Sequence, residues 1–185
     1  MRRNKLRSNW FARPALLVAS DLVGKILVRS LPSGVFRYRI TETEAYCGVK
    51  DLACHASKGR TKRTEVMFGS AGRIYVYLIY GMYYCLNFVT AQTEKAEAVL
   101  IRAVEPLFIT NQKPIGPGKL CRVLLIDKTL NNKIIGQTSG LWVEDDGYVV
   151  TPKQLGKSAR RGIIYAQKYA LKPWRFYLKS SLFVS

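Results

Sequence analysis

The sequence predicts an α+β protein, a single domain around a mostly antiparallel curved sheet with a protruding β-hairpin and a few flanking helices. Several short segments rich in β-branched and aromatic residues follow one another along the chain, separated by turns with glycine or proline. Helical periodicity occurs in only two or three places. The length of 185 residues suits one domain with a sizeable core.

The first helix is predicted between Pro14 and Gly24, because the apolar residues between them recur at helical spacing. Pro14 suits a first helical turn and Gly24 suits the residue after a last turn. Two strands follow, over residues 25–31 and 35–46, joined by the turn Pro32-Ser33-Gly34.

The side chains of the second strand point alternately to its two faces. One face carries the aromatic, aliphatic and acidic residues Phe36, Tyr38, Ile40, Glu42, Glu44 and Tyr46. The other carries Arg37, Arg39, Thr41 and Thr43. The pattern predicts two carboxylates that extend an otherwise apolar face.

The rest of the chain predicts a polar, basic loop over residues 55–63 and then an aromatic hairpin. Its strands cover residues 75–79 and 83–89, with Tyr80-Gly81-Met82 at the tip. A short strand over residues 98–104 and a helix over residues 120–127 come next. Late strands are predicted over residues 142–150 and 174–184.

The charge of the chain predicts a polyanionic partner. Lys and Arg number 30 and Asp and Glu number 12, so the formal net charge is 30 − 12 = +18. With 48% hydrophobic residues the chain is expected to fold, which places this charge on a folded surface. Such a surface favours nucleic acid first and anionic membrane second. Collagenous, fibrous and disulfide-stapled classes are excluded.

The cysteines indicate reduced thiols and no metal. None of the four forms a C-x-x-C pair, and the Cys54-His55 pair has no complementary half because His55 is the only histidine. We therefore expect no metal site and a reduced intracellular compartment.

Two segments could be mistaken for a targeting signal or a membrane span. Residues 1–10 form a basic arm that we expect to be flexible, and the apolar run over residues 15–19 is too short for a signal peptide. Residues 74–93 lack charge and are long enough to span a bilayer, but they hold five tyrosines as well as Asn87 and Gln92. They are better interpreted as buried strands, and we expect no membrane association.

Several groups could carry chemistry, and each has a structural alternative. A carboxylate on the inward face of a strand, Glu42 or Glu44, loses hydration and can act as a general base; alternatively both pair with arginines at a fraying strand end. A large aromatic at a tight tip, Tyr80, can wedge into a base stack; alternatively the tyrosines of the hairpin belong to the core.

Basic groups could contact phosphates. The turn at residues 116–119 lacks the Walker pattern, but Lys119 at a helix start could hold one phosphate; a plain turn is the alternative. Cations of residues 58–63, Arg60 among them, and of residues 157–161 could contact a nucleic-acid backbone; alternatively they form solvated faces.

Taken together, these segments resemble the alkyladenine (3-methyladenine) DNA glycosylase family. The resemblance runs in order from about residue 11 to residue 185, and its long segments are specific. The matching text comprises Arg39-Ile-Thr-Glu-Thr-Glu-Ala-Tyr46, His55, Met67-Phe68, Tyr75-Val-Tyr-Leu-Ile-Tyr-Gly-Met-Tyr-Tyr-Cys-Leu-Asn87, Val99-Leu-Ile-Arg-Ala-Val-Glu-Pro106, Gly116-Pro-Gly-Lys-Leu-Cys121, Arg160 to Ile163 and Pro173-Trp-Arg-Phe-Tyr177.

The resemblance implies roles for matching positions. Glu44 would activate a water against C1′ of a flipped nucleotide, and Arg102 would help to hold that water, with a main-chain carbonyl near Arg161 as a third contact. The pocket for the damaged base would consist of Tyr46, His55, Tyr77 and Asn87. The residues that contact DNA would be Tyr80, Met82, Arg60 and Lys119, with Tyr80 filling the gap in the duplex.

The chain departs from the family pattern in three places. The segment between Pro106 and Gly116 is shorter than in many members, which trims a surface loop. Thr64-Glu65 places an acid in a loop expected to face DNA. Arg161 stands where the family usually has an aliphatic residue, which bears on the geometry of the water site.

The resemblance therefore implies a monomeric, monofunctional DNA-repair glycosylase that needs no cofactor. It would work in the cytoplasm of a bacterium, at the nucleoid, or in the nucleus of a eukaryote. It would bind double-stranded DNA that contains alkylated or deaminated purines, flip the damaged nucleotide and hydrolyse its N-glycosidic bond, leaving an abasic site. The alternative is a catalytically silent protein that binds damaged or structured nucleic acid. Glu44 favours the enzyme, because a carboxylate in a binding cleft repels phosphate.

Overall fold

The computed structural model describes residues 3–185, and within them nine strands pair antiparallel in one sheet. The strands are β1 (Asn4–Lys5), β2 (Ile26–Leu31), β3 (Gly34–Cys47), β4 (Ile74–Ile79), β5 (Tyr83–Thr90), β6 (Glu97–Pro106), β7 (Leu141–Asp145), β8 (Leu155–Ser158) and β9 (Arg175–Leu178). The helices are α1 (Ala15–Leu22) and α2 (Pro117–Val123). The predicted α+β class is confirmed.

Short 3₁₀ segments occupy several of the connections. They are Ser8–Phe11, Gly48–Lys50, His55–Lys58, Glu65–Phe68, Lys128–Leu130 and Ile164–Leu171. The last of these is interrupted by a kink at Ala166 and Gln167. Within residues 3–185, no helix is long and apolar enough to cross a bilayer.

β3 is the central strand of the sheet. The order is β1-β7-β2-β3-β6-β5-β4, and β9 pairs with both β3 and β8. β2 pairs with the first half of β3, β9 pairs with residues 42–44, and β6 pairs along the other edge. Residues 42–44 are therefore hydrogen-bonded on both edges, so Glu42 and Glu44 lie in the interior of the sheet, where both are fully buried.

The structure confirms the first helix, the two strands after it and the aromatic hairpin. α1 begins directly after Pro14, and its apolar side enters the main core through Ala15, Val18, Ala19 and Leu22. Gly24 follows with φ +91°, and a Cβ there would lie 2.6 Å from Val150 Cγ2. Glycine is thus required at position 24 for two reasons, the left-handed backbone conformation and the close approach of Val150.

The predicted continuous face of β3 is interrupted. Two register shifts against β6 lie between Ile40 and Thr43, so strict alternation holds only on each side of them. Phe36 and Tyr38 pack against Phe108. Beyond the shifts, the Thr43 hydroxyl donates to the Ala19 carbonyl of α1. The glutamates point away from α1, toward Arg102 of β6.

Element bounds differ from the prediction late in the chain. α2 begins at Pro117 rather than at residue 120, because the proline ring suits the first helical position, and it ends at Val123. β7 and β9 are shorter than predicted. β8 was not predicted, since Leu155-Gly-Lys-Ser has little β propensity and forms a strand through pairing with β9.

The N-terminal segment contacts the domain. β1 pairs with β7, the Lys5 ammonium lies 4.8 Å from the centroid of the Trp142 ring, and Phe11 is fully buried. Residues 4–11 are thus docked on the sheet. Met1 and Arg2 of the predicted arm lie outside the described residues.

Candidate active site

A cavity of about 290 Å³ lies beside the β4–β5 hairpin. Its walls come from β3, β6, both hairpin strands, the 3₁₀ segment at His55 and the loop after β8. The structure brings together there six of the residues predicted for the site: Tyr46, His55, Tyr77, Tyr80, Asn87 and Arg102. Residues from distant parts of the chain therefore converge on one enclosed space.

Glu44 lies behind this lining and is fully buried. Its Oε1 accepts a hydrogen bond from the main-chain N–H of Arg161 at 2.8 Å and lies 3.4 Å from Nη1 of Arg102. Its Oε2 accepts from the Tyr46 hydroxyl at 2.8 Å. All three partners line the cavity. Each carboxylate oxygen has two lone pairs and accepts one hydrogen bond, since the contact with Arg102 is an ion pair, so both retain acceptor capacity for a further group.

Opposing effects set the proton affinity of Glu44. Burial raises the pKa of its carboxyl above the ordinary value, while Arg102, the Arg161 N–H and the Tyr46 hydroxyl lower it. Burial prevails, so the direction is upward. A carboxylate of raised pKa is a stronger base than a solvated one, and the three donors still stabilise its charged form.

Arg102 is held by a second buried carboxylate. Glu42 Oε1 accepts from Nε of Arg102 at 3.0 Å and from Nε of Arg175 at 2.5 Å. Ser185 completes the group, because its N–H donates to Glu42 Oε2 at 2.7 Å and its hydroxyl accepts from Nη2 of Arg102 at 3.0 Å. Sequence reasoning assigned no role to Arg175 or Ser185. The arginine in the Pro173-Trp-Arg-Phe-Tyr177 segment was the available signal for Arg175.

Aromatic rings form much of the cavity wall. The rings of His55 and Tyr77 meet edge to face with centroids 4.5 Å apart, and Nδ1 of His55 is 2.9 Å from the Tyr75 hydroxyl. Burial and the nearby Arg63 lower the pKa of His55 to about 4. His55 is therefore neutral at pH 7, and it can stack against a base without adding charge.

Tyr46 is supported from behind by a buried ion pair. The guanidinium of Arg160 lies 4.8 Å from the centroid of the Tyr46 ring and 4.9 Å from that of Trp174. It donates to both oxygens of Asp51, at 2.5 and 2.8 Å, and to the Ala45 carbonyl at 2.8 Å. Sequence reasoning did not identify Asp51, which precedes the predicted basic loop without any motif of its own.

Asn87 lies on β5 and is buried. Its amide nitrogen donates to the main-chain carbonyls of Tyr75 at 3.2 Å and Cys85 at 3.4 Å. The side chain is thereby held across the hairpin, with its carbonyl oxygen as the group that remains for a ligand in the cavity. Asn87 thus lines the cavity.

Comparison with known proteins places the chain in a family. The model of the methylpurine-DNA glycosylase family matches residues 9–182. The chain belongs to this family of DNA glycosylases.

Full-length relatives agree with that assignment. A protein of Methanocella arvoryzae is 48% identical over 97% of this chain and 95% of its own length. Proteins of Bdellovibrio bacteriovorus and Myxococcus xanthus are 45% and 44% identical, over 97% and 98% of this chain and 98% and 94% of their own lengths. Each is provisionally named a 3-methyladenine DNA glycosylase.

The residues predicted to contact DNA differ in their exposure and in their contacts within the protein. Tyr80 and Met82, at the hairpin tip, are 81% and 66% exposed, and Lys119 is exposed on the first turn of α2. Arg60 instead makes several contacts within the protein. It donates to the Glu94 carboxylate at 2.6 Å, lies 3.6 Å from Glu65 and packs over the Phe68 ring.

Two of the three departures from the family pattern, Arg161 and Thr64-Glu65, have a local structural explanation. Arg161 reaches Glu44 through its main-chain N–H, whereas the resemblance implied a carbonyl near this position as a contact of the water. Because that hydrogen bond uses no side-chain atom, an exposed arginine is compatible with it. Thr64 is buried and its hydroxyl donates to the Gly59 carbonyl at 2.8 Å, while the exposed Glu65 faces Arg60.

The cysteines of this glycosylase are four free thiols. Cys54 and Cys85 line the cavity, and burial raises the pKa of Cys54 to about 12, so its thiol is uncharged at neutral pH. In the part of the chain that the structure describes, residues 3–185, no group of three or more His, Cys, Asp or Glu side chains could hold a metal ion.

Proposed function

We propose that this glycosylase flips alkylated or deaminated purines out of double-stranded DNA and removes them by hydrolysis, with Glu44 as the general base. One observation carries the proposal: a fully buried carboxylate, Glu44, is held by two hydrogen bonds and one ion pair from residues that all line the same aromatic cavity. A stabilised carboxylate beside a base-sized pocket is what water activation at C1′ requires.

The cavity suits one nucleobase. Its volume of about 290 Å³ lies at the small end of ligand pockets, which span about 300–1,000 Å³. Tyr46, the neutral His55 and Tyr77 provide aromatic surface, and base–aromatic stacking is sequence-tolerant because every base has a π face. A damaged base pairs less well, so it costs less to unstack. Selection of the damaged base therefore begins when the base unstacks from the duplex and continues when it enters the pocket.

In the proposed reaction, a water oxygen bonds to C1′ of the flipped nucleotide as the bond from C1′ to the purine nitrogen breaks. Both electrons of the breaking bond leave with the base, and the proton of the water passes to Glu44. A purine alkylated on its ring is cationic and therefore departs neutral, which lowers the demand for an acid. A deaminated purine is neutral, so it departs as an anion and takes up a proton from solvent water to give the free base. The products are the free base and an abasic site, as expected of a monofunctional enzyme.

The surface around the cavity supports a DNA partner. The net charge of +18 attracts phosphate, and the exposed Lys119 stands on the first turn of α2, next to the cavity-lining Pro117. Tyr80 would fill the space that the flipped nucleotide leaves, with Met82 beside it. We propose that the protein acts as a monomer, and that Arg60 contacts the backbone after its carboxylate partners release it.

The test is single-turnover release of the base from labelled duplexes that each carry one 3-methyladenine, hypoxanthine or ethenoadenine, without added metal. We expect Glu44→Gln to keep duplex binding and to lose base release by several orders of magnitude, since an amide cannot accept the proton of the water. The amide is nearly the same size, so the pocket is preserved.

Two results would count against the proposal. If Glu44→Gln still released base at the wild-type rate, Glu44 would not be the base catalyst. If the wild type bound duplexes tightly in a salt-sensitive manner but released no base from any lesion, the protein would be a silent binder of damaged or structured DNA.

A further inference from the structure

We propose that Ile164 and Tyr165 form a second DNA contact at the mouth of the cavity, separate in sequence from the hairpin tip. This inference rests on the proposed function. Tyr165 lines the cavity and is nevertheless 68% exposed, and Ile164 beside it is 92% exposed. Two adjacent large apolar side chains are thus presented to solvent at the point where a flipped nucleotide would enter.

The backbone that carries these side chains is anchored on both sides. Ile163 and Ala166 are 5% and 0% exposed and form a small buried cluster with Ala53. Ile164 and Tyr165 therefore project from a short 3₁₀ turn whose flanking residues are packed into the protein. A contact presented in this way loses little conformational entropy on binding.

The setting of the pair favours DNA over other partners. Arg161 and Lys168, close to it in sequence, are both exposed, and Arg161 also lines the cavity. Apolar side chains flanked by cations match the bases and phosphates of a nucleic acid. Tyr80 lines the same cavity, so a duplex seated on the hairpin tip must also cross the surface around Tyr165.

The segment is also connected to the proposed base catalyst. The Arg161 N–H that donates to Glu44 lies three residues before Ile164, in the same short connection. DNA bound to Ile164 and Tyr165 would therefore restrain the loop segment whose main-chain N–H holds the Glu44 carboxylate. The contact would serve both to seat the duplex and to hold Glu44 in place.

The experiment compares Ile164→Ser and Tyr165→Ser with Ile109→Ser. Ile109 is fully exposed and follows Phe108, which packs on Phe36 and Tyr38 at the end of β3 remote from Glu44. The probes are a duplex with a stable abasic-site analogue, for binding, and hypoxanthine in duplex and single-stranded oligonucleotides, for base release. Thermal melting and the Tyr165→Phe variant, which retains the ring, control for folding.

We expect each serine variant at the cavity mouth to weaken binding of the abasic duplex about tenfold, in the range of a lost stacking contact. Release from the duplex at subsaturating enzyme should fall similarly, and release from the single strand should stay within about twofold. Ile109→Ser should match the wild type, and Tyr165→Phe should restore most of the duplex binding that Tyr165→Ser loses, because it retains the ring. A wild type that binds as expected but releases no base would refute the proposed function, while the binding loss would still support this contact.

Three results would overturn the inference. These are unchanged duplex binding by both variants, equal losses on duplex and single strand, or the same loss in Ile109→Ser. If the variants bound the duplex as the wild type does but sedimented differently, Ile164 and Tyr165 would contact a second copy of the chain. If they instead bound anionic vesicles differently, the pair would contact a membrane. Either result would reject the pair as a DNA contact.

Discussion

Glu44 shows how a single residue obtains its chemistry from its surroundings. Removal from water makes its charged form costly, and three donors recover part of that cost. The net effect is a raised pKa, so we expect the rate of base release to climb with pH across a window above the ordinary value of 4.5. Single-turnover rates measured from pH 4.5 to 8 at constant ionic strength test this, and a rate already at its plateau at pH 4.5 would contradict it.

The Tyr46 hydroxyl provides a matched variant for the same prediction. It lowers the pKa of Glu44 by donating to the carboxylate, so Tyr46→Phe should raise that pKa further while the ring remains in the wall. We expect the acid limb of the profile to move to higher pH, because the carboxylate loses a charge-assisted hydrogen bond that stabilises its charged form. An acid limb that stays in place or moves downward would show that this hydrogen bond does not control Glu44.

At the scale of the element, the hairpin tip carries an unfavourable residue at its turn. Tyr80 has φ +54° and Gly81 has φ +67°, and the Met82 N–H donates to the Ile79 carbonyl, so the two residues are the left-handed central pair of a tight turn within the three-residue connection. Glycine and asparagine accept this conformation, but for tyrosine it costs roughly 1–2 kcal/mol. A strained and 81% exposed aromatic at such a turn points to a function that outweighs stability.

We therefore expect Tyr80→Asn to stabilise the protein by up to about 1 kcal/mol, because the strain is relieved. The same variant should release base from duplex DNA at least about tenfold more slowly, because the wedge is lost, and lose less on single strands. Urea denaturation and single-turnover release on both substrates measure these effects.

Tyr80→Ala is the control for that experiment, since alanine removes the ring but keeps the left-handed strain. It should share the loss on duplex DNA without the gain in stability. Equal losses on duplex and single strand would rule out a wedge at the tip.

At the scale of the molecule, charge is divided between pairs inside the structure and a surplus of cations outside. The side chains of Asp51 and Arg160 are fully buried and form an ion pair, whereas Arg13 and Asp21 form an ion pair at the surface. The Asp51–Arg160 pair joins the segment after β3 to the loop that reaches Glu44. Breaking one buried partner leaves the other charge uncompensated, which costs about 3–5 kcal/mol.

Asp51→Ala should accordingly lower the free energy of unfolding by about 3–5 kcal/mol, whereas Asp21→Ala should lower it by less than about 1 kcal/mol. Urea denaturation at pH 7 measures both. Similar losses in the two variants would mean that the buried pair contributes no more than a surface one.

Local pattern was a good guide to some elements and not to others. Alternation and turn residues located β2, β3 and the β4–β5 hairpin, because those features depend on neighbours along the chain. The register shifts in β3 and the existence of β8 depend on partner strands, so no local pattern announced them. α2 was placed three residues late, because its start is set by Pro117 and not by its apolar residues.

The sequence by itself determined the residue types of the site, the strand that carries Glu44 and the hairpin that carries Tyr80, since short-range periodicity and motif resemblance specify these. Only the tertiary structure decided what surrounds them. The Arg161 N–H reaches Glu44 across 117 positions of the chain, and Ser185 meets Glu42 across 143. Proton affinity depends on burial and on groups within a few ångströms, and folding alone brings those groups together.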